Sequence, residues 1–247
     1  MAELTIQQKP QVAPSSEFDF PLDNSDRIYR TLKEEILNLV IPPGTAISES
    51  DICGRFSVSR TPARGALRHL AAVKLIRIVP YRETTVSLIN LHQIKQMIYM
   101  RTAIESRVLR DFMEIQDRFM LEKIRYFLGR QAALLDTDFT PRDFFAEDSA
   151  FHRIWFTATD KDFLWRKIQA AQVHYTRFRM LDIVGAGNFS GIEKEHEQLF
   201  SIIKKKDTDA VEPFITRHLN GGIKRLGKRI YTDFAAYFED KDLEGTK

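Results

Sequence analysis

The amino-acid sequence predicts a mainly α-helical chain, with three helices and a two-stranded hairpin in an N-terminal domain and six helices in a second domain. Apolar residues recur at helical spacing through most of the chain after residue 25, whereas strand-like runs are confined to residues 76–79 and 84–88. A length of 247 residues, of which 43% are hydrophobic, is enough for two separate cores. The chain has no apolar run of the roughly 18 residues that a membrane span needs.

The first 24 residues predict a flexible tail, because residues 1–24 are polar and lack apolar periodicity. They have neither the basic start nor the apolar stretch of a signal peptide, and the single cysteine, Cys53, cannot form an intramolecular disulfide. We therefore expect a cytoplasmic protein. From Asp26 to Val40 a helical repeat of apolar residues predicts the first helix, which Pro42-Pro43-Gly44 ends.

Residues 48–76 predict two short helices joined by a tight turn. Ser48 can cap the first of them and Ser59 the second, and Pro62 falls within the first turn of the second helix, where a missing N–H costs least. The second helix has apolar residues at helical spacing on one face. Another face has arginines at positions i, i+4 and i+8, namely Arg60, Arg64 and Arg68.

The charge of this stretch has two interpretations. From Arg55 to Arg82 there are seven basic residues and no Asp or Glu, which is compatible with a solvated basic face on a structural helix. However, the turn length suits a helix-turn-helix motif, and the arginines begin at the helix end that meets base edges in such motifs. Nucleic-acid binding is therefore the favoured interpretation. Residues 25–89 carry ten Lys or Arg against six Asp or Glu, so phosphate affinity should be local to this part of the chain.

The motif also carries a family resemblance. The segment Ser-Arg-Thr-Pro-Ala-Arg-Gly-Ala-Leu at residues 59–67 resembles the recognition-helix signature of GntR-type bacterial regulators, and residues 42–45 resemble the turn after that family's first helix. Gly65 replaces the usual glutamate, and Ser50 replaces a common arginine. The resemblance implies a homodimer that binds a near-palindromic double-stranded DNA operator. It further implies that Arg60 and Arg64 contact bases and that Ser59 and Thr61 contact phosphate, with Arg68 as a further DNA-binding residue.

The segment after the motif predicts a wing, formed by two short strands around residues 80–83. Arg82, at its tip, could contact phosphate or the minor groove, although an exposed solvated arginine is the alternative. Asn90 can cap the next helix. Start signals at Thr140-Pro141 and Ser190 help to define six further helices, at residues 92–113, 117–135, 141–158, 161–182, 191–206 and 209–238.

These elements predict a division of the chain into four parts. They are a tail at residues 1–24, a winged helix-turn-helix DNA-binding domain at 25–89, a helical effector-binding and dimerisation domain at 90–240, and a C-terminal tail at 241–247.

A second group of residues suggests metal binding. Asp148 and His152 are four residues apart and so share one side of a helix, while His196 and His218 lie on later helices. One carboxylate and three imidazoles could bind a divalent metal such as Zn, Ni, Mn or Fe. Histidines that simply satisfy a core or lie on the surface are the alternative interpretation.

The same four residues resemble the Asp/His/His/His metal set of the FCD ligand-binding domain, the common partner of GntR-type winged helices. Six helices would place the domain nearer the VanR-like branch of that subfamily than the FadR-like one. Arg101 matches the cavity-facing arginine of that domain, which implies a small carboxylate effector, and a salt bridge to Glu105 is the alternative. His174, on a neighbouring helix, is expected to line the pocket or the surface.

The sequence thus predicts a ligand-responsive transcriptional regulator, a repressor released by a small carboxylic acid bound at a metal site, rather than an enzyme. Two alternatives stay open at this point. A metal-dependent enzyme acting on a small organic acid would use the same ligands to activate water. A purely structural metal would only hold the bundle together.

Overall fold

The computed structural model describes residues 23–79 and 83–239. Within these residues the chain is mainly helical with one pair of short strands, which confirms the predicted fold class. The helices are α1 (Asn24–Leu37), α2 (Glu49–Phe56), α3 (Arg60–Ala72), α4 (Leu91–Ile115), α5 (Arg118–Leu135), α6 (Pro141–Ala158), α7 (Asp162–Ala171), α8 (Val173–Ala186), α9 (Phe189–Lys205), α10 (Thr208–Leu219) and α11 (Gly221–Leu226), and the strands are β1 (Ile76–Arg77) and β2 (Thr85–Val86).

A local hydrogen bond explains the start of the first of the two motif helices, but not of the second. The Ser48 hydroxyl accepts the N–H of Asp51 at 3.1 Å and caps α2, as predicted. The turn begins at Ser57, which ends α2 with a left-handed conformation (φ 53°). Ser59 occupies the N-cap position of α3, but the prediction that its side chain caps the helix was wrong, because its hydroxyl accepts no helix N–H.

Gly65 allows α1 and α3 to pack closely. A Cβ atom at this position would lie 2.5 Å from Oγ of Ser25, which belongs to the first turn of α1. Glycine costs roughly 0.5–1 kcal/mol relative to alanine in a helix interior. Here that cost is offset by the close approach of two helices that share an apolar core with α2 and both strands.

The wing is shorter than the sequence predicted. β1 and β2 pair antiparallel over two residues each, with Ile76 opposite Val86 and Arg77 opposite Thr85. The N–H of Val86 donates to the carbonyl of Thr45 at 2.8 Å, so the segment before α2 takes up hydrogen bonds along β2. The predicted DNA contact Arg82 and the rest of the wing tip, residues 80–82, lie outside the described residues.

Residues 90–239, the described part of the second domain, contain eight α-helices where six were predicted. The predicted helix at 161–182 is divided at Gln172 into α7 and α8, and no glycine or proline marks this break. The predicted helix at 209–238 is divided into α10, α11 and two short 3₁₀ segments, because Gly227 adopts a positive φ of 48° and ends α11. The start of α9 is Phe189 rather than Ser190.

The linker between the two apolar cores, residues 87–90, forms hydrogen bonds with the C-terminal part of the described chain. Ile89 donates its N–H to the carbonyl of Tyr237 at 2.8 Å and accepts the N–H of Glu239 at 3.1 Å. Phe238, between them, is buried in the core of the bundle. On the other side of the junction, Val173 at the start of α8 packs against the core of α1–α3. None of the helices described is both long and apolar enough to cross a membrane.

Candidate functional site

Four buried side chains converge in the middle of the bundle, as the sequence predicted. Asp148 and His152 lie one turn apart on α6, His196 lies on α9 and His218 lies on α10. One ligand atom from each residue can be chosen so that all four atoms lie within 4.8 Å of one another. The capping box at the start of α6, formed by Thr140 and Asp143, fixes where this helix begins.

Each of the three imidazole rings has its outer nitrogen engaged by an acceptor on another helix. Since carboxylate and amide oxygens accept, each Nδ1 carries the hydrogen and each Nε2 presents a lone pair to the centre. The three contacts are His152 Nδ1 to Glu105 Oε2 at 3.0 Å, His196 Nδ1 to Gln131 Oε1 at 2.8 Å, and His218 Nδ1 to Glu195 Oε2 at 2.6 Å.

The inner nitrogens of the three rings face one another beside the carboxylate of Asp148. The Nε2 atoms of His152 and His218 lie 3.2 Å apart. Nε2 of His196 is buried with no hydrogen-bond partner in the described chain, and it lies 3.6 Å from Oδ1 of Asp148. Burial lowers the pKa values of His196 and His218, which keeps both rings neutral. Neutral imidazoles arranged in this way around a carboxylate fit a divalent cation.

Arg179 sets the charge state of the carboxylate. Its Nη2 donates to Oδ1 of Asp148 at 2.9 Å, and both side chains are buried. Burial alone would raise the pKa of Asp148, but the Arg179 guanidinium outweighs it and holds that pKa well below its usual range. Sequence reasoning missed Arg179, because no spacing or motif sets it apart from Arg177 in the same helix.

Arg101 forms the salt bridge that the sequence left as an alternative. Its Nε donates to Oε1 of Glu105 at 2.5 Å, and its guanidinium lies 5.1 Å from the ring centroid of Tyr175. Burial opposes ionisation of Glu105, but Arg101 and His152 together lower its pKa to about 2. Glu105 therefore remains an anion that links Arg101 to His152.

His174 lies at the junction of the two domains. Its Nδ1 accepts the backbone N–H of Asn90 at 3.1 Å and an N–H of Arg177 at 3.1 Å. Burial and the neighbouring Arg177 charge lower the pKa of His174 to about 4. Arg177 also donates to the carbonyl of Ser87 at 2.5 Å. These contacts attach the linker to α8, and the pocket-lining role predicted for His174 is not tested by them.

The predicted DNA-contacting residues lie on the exposed N-terminal part of α3. Ser59, Arg60, Thr61 and Arg64 are all exposed, and so is Arg68, about one turn beyond Arg64. The Ser59 hydroxyl is not engaged in capping and so is available to an external acceptor. Arg64 donates to Glu49 of α2 at 2.8 Å. Because Arg82 is outside the described residues, its proposed contact has no structural counterpart here.

Two family models match the chain. The model described as bacterial regulatory proteins, gntR family, matches residues 24–86, and the model described as the FCD domain matches residues 96–221. The two matches follow one another along the chain, with the linker between them.

Individual proteins show the same relationship. The HTH-type transcriptional repressor RspR of Escherichia coli is 31% identical over 79% of this chain and 85% of its own length. The gluconate operon transcriptional repressor of Bacillus subtilis is 26% identical over 73% of this chain and 76% of its own length. Among solved structures, Escherichia coli McbR/YncC has the same fold, with a TM-score of 0.64 at 17% identity over 84% of this chain and 99% of that chain.

Proposed function

The chain belongs to the GntR family of bacterial transcriptional regulators and carries an FCD domain, and from this premise we propose that it is a repressor released by a small carboxylic acid at a metal centre. Both domains and the named relatives indicate a DNA-binding regulator rather than an enzyme. In the proposed division, residues 25–89 bind DNA, residues 90–240 bind the effector and dimerise, and residues 1–24 and 241–247 are tails.

The DNA-binding half acts as a homodimer in this proposal. Two copies of α3 enter successive major grooves of a near-palindromic operator, with half-sites about one helical turn apart. Arg60 and Arg64 contact base edges, and Ser59 and Thr61 contact phosphate. Arg68 and Arg82 are proposed as further DNA contacts. The exposure of α3's N-terminal side chains supports the assignment.

The metal centre, in the second domain, is the regulatory site in this proposal. Asp148, His152, His196 and His218 hold a divalent ion, with Zn, Ni, Mn and Fe as the candidates that their nitrogen and oxygen donors suit. A bound ion of this type can take additional oxygen ligands and so bind an anionic chelator. The single observation that supports the site most strongly is the convergence of three Nε2 lone pairs, each fixed by a partner on Nδ1.

We assign the effector to the small carboxylic acids, such as hydroxy, keto or sugar acids. A relative's name associates that protein with the gluconate operon, which supports this class without fixing the compound. Arg101, as proposed from the sequence, provides a buried cation near the centre, although Glu105 already engages it. Arg179 provides a second cation. His174 lines a separate pocket with Tyr175, to which none of the four proposed metal ligands contributes.

The signal reaches the DNA-binding domain through α8 in this proposal. Residues 174–183 of this helix are all buried, and Arg179 contacts the carboxylate of the metal site. Arg177, two residues before Arg179, and His174, five residues before it, hold Ser87 and Asn90 of the linker. An acid that alters the Arg179–Asp148 contact would shift α8 and with it the linker. Allosteric coupling is typically worth about 1–3 kcal/mol, which is enough to change operator occupancy several-fold.

The test is release of operator DNA by acids in the presence and absence of metal. We expect citrate or gluconate to weaken operator binding by the metal-loaded protein, and to have no effect on chelator-treated protein or on a His218→Gln variant. Release that does not depend on metal would contradict the proposed site.

A purely structural metal is the second candidate, favoured by the nearly complete burial of all four ligands. It predicts that metal removal lowers the thermal stability of the protein, whereas none of the acids changes its operator affinity.

A further inference from the structure

The recognition helix holds its exposed arginines in two different ways. Nε of Arg64 donates to Oε1 of Glu49 at 2.8 Å, forming an ion pair between α3 and α2. In contrast, the side chains of Arg60 and Arg68 make no hydrogen bond or ion pair with any residue in the ranges 23–79 and 83–239. Only one of the three side chains therefore has an orientation set by a carboxylate of the described chain.

Glu49 lies at the capped N-terminus of α2, where the backbone position is well defined. It is the first residue of α2, directly after Ser48, whose hydroxyl caps that helix. The carboxylate is partly exposed, with 35% of its side-chain surface accessible. Its hydrogen bond with Arg64 lowers the pKa of Glu49, so it is ionised at neutral pH.

The contact with Glu49 leaves the two Nη groups of Arg64 available to bind a base. Glu49 engages Nε, while the two Nη groups make no hydrogen bond within the described residues. A guanidinium can donate two parallel bonds to O6 and N7 of guanine, the commonest specific contact in the major groove. Fixing the side chain before binding reduces the conformational freedom that the complex must remove.

We propose that Glu49 is a specificity-determining positioning residue, which orients Arg64 towards a guanine of the operator. Its negative charge opposes phosphate on any DNA, whereas the orientation that it gives Arg64 favours only DNA that presents a guanine at that position. Together these effects raise the preference for the operator over random DNA. The inference rests on the base-contacting role of Arg64 in the proposed function.

The experiment uses an operator selected from random duplexes by the full-length protein. Affinities for this operator and for random DNA are measured at one salt concentration, because phosphate contacts depend on salt. Glu49→Ala is compared with Asp51→Ala, a matched control that removes another exposed acid from the same turn of α2. Thermal unfolding of each variant verifies that it is folded.

We expect Asp51→Ala to raise both affinities by a similar factor. Glu49→Ala should raise affinity for random DNA to a similar extent but lower the operator-to-random ratio roughly tenfold. Glu49→Gln keeps an acceptor oxygen and should keep part of the ratio. In an Arg64→Ala background, Glu49→Ala should leave the ratio unchanged.

Two results would overturn the inference. If Glu49→Ala has the same ratio as Asp51→Ala while Arg64→Ala loses the operator selectively, Glu49 has no role and the role of Arg64 stands. If Glu49→Ala binds the operator more tightly than the control does, Glu49 competes with DNA for Arg64 instead of positioning it. Equal loss on both DNAs in Arg64→Ala would instead contradict the base-contacting role itself.

Discussion

The Nε2 atoms of His152 and His218 lie 3.2 Å apart, and the Nδ1 atom of each ring donates to a carboxylate on another helix. This arrangement fixes both tautomers with their lone pairs inward. It suits a bound cation, because metal-bound histidines usually donate their other N–H to such acceptors. The outer carboxylates should therefore influence how tightly a metal binds.

We predict that Glu195→Gln weakens metal binding by about 10–100-fold, because the amide is a weaker acceptor for the Nδ1–H of His218. Titration with Zn²⁺ in the presence of a competing chelator measures the effect. Glu197→Gln on the same helix is the control, since Glu197 is exposed. Equal Zn²⁺ affinities for the two variants would show that Glu195 does not support the site.

We predict that Arg179→Gln destabilises the metal-free protein by about 3–5 kcal/mol, because Asp148 would remain as a buried carboxylate without its cation. Urea unfolding followed by circular dichroism measures the free energy of unfolding. Arg118→Gln, at an exposed position of α5, should change it by less than about 0.5 kcal/mol. A loss for Arg179→Gln as small as that of the control would contradict the prediction.

His174, at the junction of the two domains, should make the stability of the protein depend on pH. Its pKa is lowered from 6.5 to about 4 in the folded protein, so between these values the unfolded state binds the additional proton. The contribution of His174 to the free energy of unfolding is therefore complete above pH 6.5. It decreases by roughly 3 kcal/mol as the pH falls towards 4.

His174→Gln keeps a hydrogen-bond acceptor but does not titrate. The difference in unfolding free energy between parent and variant, measured at several pH values, isolates the contribution of His174 from those of the other buried histidines. A difference that does not change between pH 7 and pH 4 would show that His174 is not the titrating group.

Gly65→Ala should destabilise the winged helix by about 1–3 kcal/mol although alanine favours helices, because its Cβ would overlap Oγ of Ser25. Ser25→Ala in the same chain should recover most of the loss. Gly54→Ala is the matched control, since a Cβ there has no neighbour within 4 Å, and it should stabilise the protein slightly. Urea unfolding distinguishes the three variants, and a neutral Gly65→Ala would contradict the packing argument.

Local signals predicted the DNA-binding half well. These signals lie within fewer than thirty consecutive residues, where neighbouring side chains determine the structure. They are the cap at Ser48, the turn and the arginine spacing of α3. The wing was overestimated, because its strands pair over only two residues each. The hydrogen bonds between β2 and the segment at Thr45 were not predicted, since the two partners lie about forty residues apart in sequence.

The metal ligands could be proposed from their residue types and order, whereas their supports could not. Glu105, Gln131 and Glu195 occupy three different helices, and their relation to the histidines exists only after the bundle has packed. Arg179 is a similar case. The break at Gln172 places it on a separate helix, and the apolar periodicity continues through that break without a signal.

The most direct test of the account is the metal content of untagged protein purified without chelator, compared with an Asp148→Ala/His196→Ala variant. Elemental analysis by mass spectrometry should find about one divalent metal ion per chain in the parent and none in the variant. Circular dichroism would verify that the variant is folded. No metal in the parent, or an equal amount in both proteins, would contradict a regulatory centre formed by Asp148, His152, His196 and His218.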